Sequence, residues 1–101
     1  MRIPKKLKVG GLTYKVTQNY KFKETSEYSG LAIHGLLEIQ LAGTHHGGQK
    51  CPKDRVEECF IHELIHVIDC VYNNSGLQEK QVSRLSQGLY QVLKDNKFLR
   101  D

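Results

Sequence analysis

The first forty residues alternate between apolar and polar. Leu12, Tyr14 and Val16 are separated by Thr13, Lys15 and Thr17, the period of two expected of a strand with one buried face. Leu7-Lys8-Val9 stands before them across Gly10-Gly11, which predicts two strands around a Gly-Gly turn. Leu31-Ala32-Ile33 and Leu37-Glu38-Ile39-Gln40-Leu41 predict another pair, turning at His34-Gly35, with Leu37, Ile39 and Leu41 on one face. Phe22 to Ser29 is polar and predicts a connection. From Ala42 to Lys53 the chain is rich in Gly and His. There Gly43, Gly47, Gly48 and Pro52 oppose regular structure.

The period then lengthens. Val56, Phe60, Ile61, Leu64, Ile65, Ile68 and Val71 cover most of a helix surface and predict a largely buried helix ending near Tyr72. Asp54 with Glu57 three residues on resembles a capping box at its start, and Asn73-Asn74-Ser75-Gly76 is a stop signal. A second helix is expected from about Gln78 to Asp95, with Val82, Leu85, Leu89 and Val92/Leu93 as its apolar stripe. The expected fold class is α+β: a small twisted, mostly antiparallel sheet followed by two helices, in one domain over residues 1–101.

Composition narrows the classes. With 39% apolar and 26% charged residues the chain is an ordinary globular one. No run approaches the roughly 18 apolar residues of a membrane span, and no apolar region follows the basic start Met1-Arg2-Ile3-Pro4-Lys5-Lys6. Three cysteines, an odd number, argue against a disulfide framework and make a cytoplasmic location the expectation. The formal charge of +4 leaves nucleic acid open as a partner. The spacing shows no zinc finger, recognition helix or RNA-binding aromatic signature, so a solvated basic surface is favoured. A core this thin often needs a metal or a partner.

The chemistry-bearing segment is His62-Glu63-Leu64-Ile65-His66, an HExxH motif. Two histidines four apart lie one helical turn apart on one face, so both imidazoles can reach one ion. Glu63 projects beside them, where a carboxylate can take a proton from water at the metal. A catalytic zinc takes three protein ligands and a water. Glu79 is the best third ligand: it falls three residues before Val82, on the expected inward stripe, and the short Asn73–Leu77 link folds the second helix back toward the histidines. Its alternative role is a first-turn acid complementing the helix dipole. His45 and His46 are rival ligands on a Gly-rich loop. Cys59 and Cys70 lie near the histidine face, where core packing is favoured over thiolate ligation. Asp69, one turn after His66, either orients a ligand imidazole or bonds the following turn.

The run from Asp54 to Asn96 resembles the minigluzincins and similar small HExxH proteins, some encoded by phages and prophages. The resemblance rests on His62-Glu63-Leu64-Ile65-His66-Val67-Ile68-Asp69, on Leu77-Gln78-Glu79-Lys80-Gln81-Val82, and on Gly88-Leu89-Tyr90-Gln91-Val92-Leu93. The Gly10-Gly11 hairpin also fits. The resemblance implies a minimal gluzincin fold, zinc (Zn2+) held by His62, His66 and Glu79, and Glu63 as general base and acid. It implies a metallopeptidase acting on peptides or proteins, in active or latent form, and names no substrate.

Three functions stand at this stage. They are a zinc metallopeptidase, a non-catalytic zinc-stabilised interaction module, and a basic nucleic-acid-binding protein with an incidental HExxH. For the first, Leu37–Leu41 is the expected strand at the cleft edge. Tyr72, Tyr90, Arg84 and His34 are open as oxyanion donors. The carboxylates of Asp101 are a candidate for reaching the metal from the chain's end.

Overall fold

The structure, a computed structural model, describes residues 1–22, 29–45 and 48–98. Strands β1 (Lys6–Val9), β2 (Leu12–Tyr20), β3 (Gly30–Ile33) and β4 (Glu38–Ala42) precede helices α1 (Lys53–Tyr72) and α2 (Glu79–Asp95). The sheet order is β1-β2-β4-β3, with β1/β2 and β3/β4 antiparallel and β2/β4 parallel. The fold is therefore α+β with a mixed sheet, two of whose three ladders are antiparallel.

Alternation decides which face is covered. Val9, Tyr14, Val16, Ile39 and Leu41 point to one side and are buried with Phe60, Ile61 and Val67 of α1. Their removal from water is the main stabilising term of a core this size. Helix α1 lies across this face and touches β1, β3 and β4, and α2 packs on α1. Gly10 and Gly11 both have positive φ, as a two-residue hairpin turn requires. At Gly10 space matters as well: an added Cβ would run into Val71 near the end of α1.

The opposite sheet face carries Lys6, Lys8, Thr13 and Lys15. Lys6 stands directly beside Lys15 in the β1/β2 ladder. Lysines on an edge strand such as β1 discourage pairing with another chain, which accounts for part of the net charge without a nucleic acid. Among the described residues no helix is long and apolar enough to cross a membrane.

Several expectations are corrected. Helix α1 begins at Lys53 with Pro52 at its N-cap and no side-chain cap. Glu57 cannot close a capping box because its carboxylate is buried, accepting from Tyr90 Oη at 2.6 Å and paired with the Met1 amine at 3.2 Å. The expected turn at His34-Gly35 is a 3-10 turn over His34–Leu36. It ends with Leu37 in the left-handed region, so β4 starts at Glu38. Leu12 is 42% exposed although it shares the period of Tyr14 and Val16, because it sits at the strand's end. On α2 the buried residues are Val82, Ser86 and Tyr90, while Leu85, Leu89 and Val92 are exposed. Most of the expected connection, residues 23–28, lies outside the described residues.

Candidate metal centre

Helix α1 places His62 and His66 one turn apart, their rings 4.9 Å apart between centroids. The link after α1 then brings Glu79 to them. Asp69 organises that link. Its carboxylate accepts from Asn73 Nδ2 at 2.9 Å and from the Leu77 backbone N–H at 3.3 Å, and its carbonyl accepts from the Asn73 and Ser75 N–H groups. Asn74 and Ser75 take left-handed conformations to make the bend. Of the two roles open to Asp69, the structure places it on the following turn. Gln78 then caps α2 through a reciprocal box with Gln81, which leaves Glu79 as the first helical residue.

Glu79 spans both imidazoles. Its two carboxylate oxygens lie 2.7 Å from His62 Nε2 and 2.8 Å from His66 Nε2. One ligand atom from each of the three residues falls within 4.8 Å of the others. Two ring nitrogens and two carboxylate oxygens this close need positive charge between them, either protons on the nitrogens or a cation. The surroundings of His62 favour a tautomer suited to a cation. Ser86, almost fully buried, donates its hydroxyl hydrogen to the Ser83 carbonyl at 2.9 Å. Its lone pair faces His62 Nδ1 at 3.4 Å and can accept from it, an arrangement that fits the tautomer in which Nε2 ligates a metal. The donor set of two imidazoles and one carboxylate fits zinc.

Glu63 lies beside this cluster against β3. Ser29 accepts from the Ala42 N–H in the β3/β4 ladder, so Gly30 and Ala32 direct their N–H and C=O groups to the open edge. The Ala32 backbone is hydrogen-bonded to the Glu63 carboxylate. Small residues permit this approach: a Cβ on Gly30 would stand 2.5 Å from Cys59 Sγ and 3.3 Å from Glu63 Cγ. Burial pushes the Glu63 carboxyl up to about 7. His66 pulls it back, Glu79 raises it, and the Ala32 bond lowers it.

A cleft of about 820 Å³ opens beside the cluster, bounded by Gly30, His45, Cys51, Arg55, His62 and Glu63 among others. His62 and His66 keep 21% and 27% of their side-chain surface in solvent and Glu79 keeps 67%, so the centre is open.

The other expected residues fall elsewhere. His45 borders the cleft without joining the three-residue cluster, and His46 lies outside the described residues. Burial pushes the Cys59 thiol up to about 12, which leaves it a protonated packing group. Of the four candidate oxyanion donors none borders the cleft. Tyr90 donates to Glu57, His34 stands against Tyr14, Tyr72 lies by Gly10, and Arg84 is exposed on α2. Strand β4 is flanked by β2 and β3, so it offers no free edge, and β3 takes the place expected of Leu37–Leu41. Asp101 lies outside the described residues.

Ser86 and Gly30 escaped the sequence reading. Ser86 has a signal: it falls at the fourth residue after Val82 and the seventh after Glu79, a polar residue on the inward face. Gly30 has none, because its need for space depends on how α1 crosses the sheet. Compared with models of known families, with curated proteins and with solved structures, the chain matches none.

Proposed function

We propose that this protein is a zinc-dependent metallopeptidase of minimal gluzincin type, in active or latent form. The convergence of His62 Nε2, His66 Nε2 and the Glu79 carboxylate at the mouth of an open cleft, with Glu63 beside them, carries the reading. His62, His66 and Glu79 would hold the zinc. When bound, it supplies Lewis acidity toward a peptide carbonyl and lowers the pKa of water toward about 7.

Glu63 does the proton work. Its carboxylate is held by α1 and the Ala32 backbone. From there it takes a proton from the attacking water and delivers it to the leaving amine. With the Ala32 N–H engaged by Glu63, the Gly30 N–H and C=O and the Ala32 C=O remain as outward main-chain groups along β3, to which an extended peptide or protein substrate can add as a further strand. Ser86, beside Nδ1, would help hold the His62 ring with Nε2 toward Glu79. Three free cysteines fit a reducing, cytoplasmic setting.

The test is cleavage of a mixed peptide library by the zinc-loaded protein beside Glu63→Gln. The expected result is wild-type cleavage reduced about 10²–10⁴-fold in the variant, with equal zinc in both. Equal cleavage by the two proteins, or zinc binding with no cleavage of any peptide after the chain's C-terminal residues 97–101 are removed, would overturn the peptidase reading.

A further inference from the structure

The cleft runs from the metal centre toward the start of α1, whose Cys59, Arg55 and Pro52 border it in turn. Two contacts give its direction relative to the sheet. The Ala32 backbone of β3 meets Glu63. Two residues earlier in β3, a Cβ on Gly30 would meet Cys59 Sγ, four residues earlier in α1, as well as Glu63 Cγ. Two residues of strand rise about 6.6 Å and four residues of helix about 6 Å, so β3 and α1 run side by side in the same direction. The next four-residue step along α1 reaches Arg55. It stands seven residues before His62 on the same helical face, about 10 Å away along the axis. A peptide added to the β3 edge beside Glu63 therefore passes Arg55 roughly three residues from the bond at the metal.

The charge at that end is positive and comes from two elements. Arg55 keeps 74% of its side-chain surface in solvent, and its nearest carboxylate oxygen, Glu58 Oε2, is 4.0 Å away. Lys50 borders the same cleft from the segment before α1. The Cys51 N–H donates to the Gly43 carbonyl at 3.0 Å, and Thr44 bridges Lys50, which fixes where Lys50 stands. Among the described residues Lys50 has no ion pair. Three acids border the cleft: Glu58, Glu63 and Glu79. Glu63 and Glu79 are engaged at the centre, which leaves Glu58 alone against Arg55 and Lys50.

We infer that this end of the cleft receives a carboxylate of the substrate, about three residues from the scissile bond, through Arg55 with Lys50 beside it. The inference rests on the peptidase reading for the chemistry at the centre and names the substrate class within it: peptides with an acidic group at that position. A guanidinium on a rigid helix offers a planar fork that takes a carboxylate through two parallel hydrogen bonds. At 4.0 Å, Glu58 lies beyond hydrogen-bond range and leaves those donors free. A substrate lysine or arginine at the same place meets like charge and is disfavoured. The carboxylate is either an acidic side chain or the end of the substrate chain.

Peptide binding to the zinc-loaded Glu63→Gln protein tests this, since that variant holds peptides with little cleavage. Mixed peptides of about twelve residues span the cleft at about 3.3 Å per residue. Three amidated pools carry a single Glu, Gln or Lys at one position, and a fourth carries Gln and a free C-terminal carboxylate. Fluorescence anisotropy in about 0.15 M salt reads the affinities. The Glu pool is expected to bind about 5–10-fold tighter than the amidated Gln pool, and the Lys pool more weakly than either. If the free-ended pool matches the Glu pool, a chain end also serves as the ligand; if it matches the amidated Gln pool, the ligand is the acidic side chain. Arg55→Gln should abolish the preference, and Arg55→Glu should turn it toward the Lys pool. Circular dichroism and zinc content show that the variants fold. Equal binding of all pools, no binding of any, or a preference that survives Arg55→Glu would overturn the inference. Cleavage is read separately. With Glu63 in place, Arg55→Gln should raise KM for Glu-bearing peptides and leave kcat nearly unchanged. Carboxylate-selective binding without cleavage would overturn the peptidase reading and leave the carboxylate-binding cleft standing.

Discussion

The two helices hold the centre by different means. Helix α1 is packed between the sheet and α2 and buries Phe60, Ile61 and Val67 with three carboxylates, Glu57, Glu63 and Asp69. Helix α2 rests mainly on α1 and buries Val82, Ser86 and Tyr90. Its inner contacts are mostly polar: Glu79 to the two histidines, Ser86 to His62, Tyr90 to Glu57, with Lys94 to Asp54 at 2.8 Å beyond them. The histidines and Glu63 are therefore placed by apolar burial that forms with the fold. Glu79 is placed by hydrogen bonds at a helix start. Such a division couples the docking of α2 to whatever positive charge Glu79 and the histidines share.

The largest effect should come from α1's apolar side. Phe60→Ala removes a buried ring between helix and sheet and should cost about 3–5 kcal/mol in urea unfolding. Leu89→Ala on α2 should cost far less. Equal losses would erase the contrast between the helices.

A second effect concerns Glu63 in metal-free protein. Its carboxyl sits at about 7 rather than 4.5, so the folded state retains a proton that the unfolded chain releases between those values. Stability contributed by this group is present at low pH and falls as pH rises through 4.5 to 7. Glu63→Gln should remove that fall. Above pH 7 the variant is expected to be the more stable, by an amount on the order of 3 kcal/mol. Parallel stability profiles for the two proteins would contradict the buried placement against β3.

The smallest effect should fall on α2. Ser86→Ala deletes the hydroxyl that faces His62 Nδ1 and should weaken zinc binding about 10-fold with little change in the fold, as loss of a ligand-orienting partner does. An unchanged zinc affinity would deny that role.

Most of the site was legible because its residues obey a local rule. His62, Glu63 and His66 follow from four-residue spacing on one helix, and Glu79 from a short link and an inward register. The strands followed from alternation of Tyr14 with Lys15 and of Ile39 with Gln40. The errors share a cause. Asp54 and Glu57 carry a cap pattern, but Tyr90, thirty-three residues on, draws Glu57 inward. The apolar stripe of α2 is real as a pattern, yet Glu79, Ser86 and Tyr90 find their partners on α1 and turn the helix so that Leu85 and Leu89 face out. Strand order is likewise non-local, and the parallel β2/β4 ladder moved the open edge from β4 to β3. Where a buried polar group has a distant partner, its pull outweighs the local periodicity.

The most direct measurement is zinc per chain for the wild type beside Glu79→Gln, after weakly bound metal is removed. The account predicts about one zinc in the wild type and much less in the variant. No zinc in either, or equal zinc in both, would contradict a centre built from His62, His66 and Glu79.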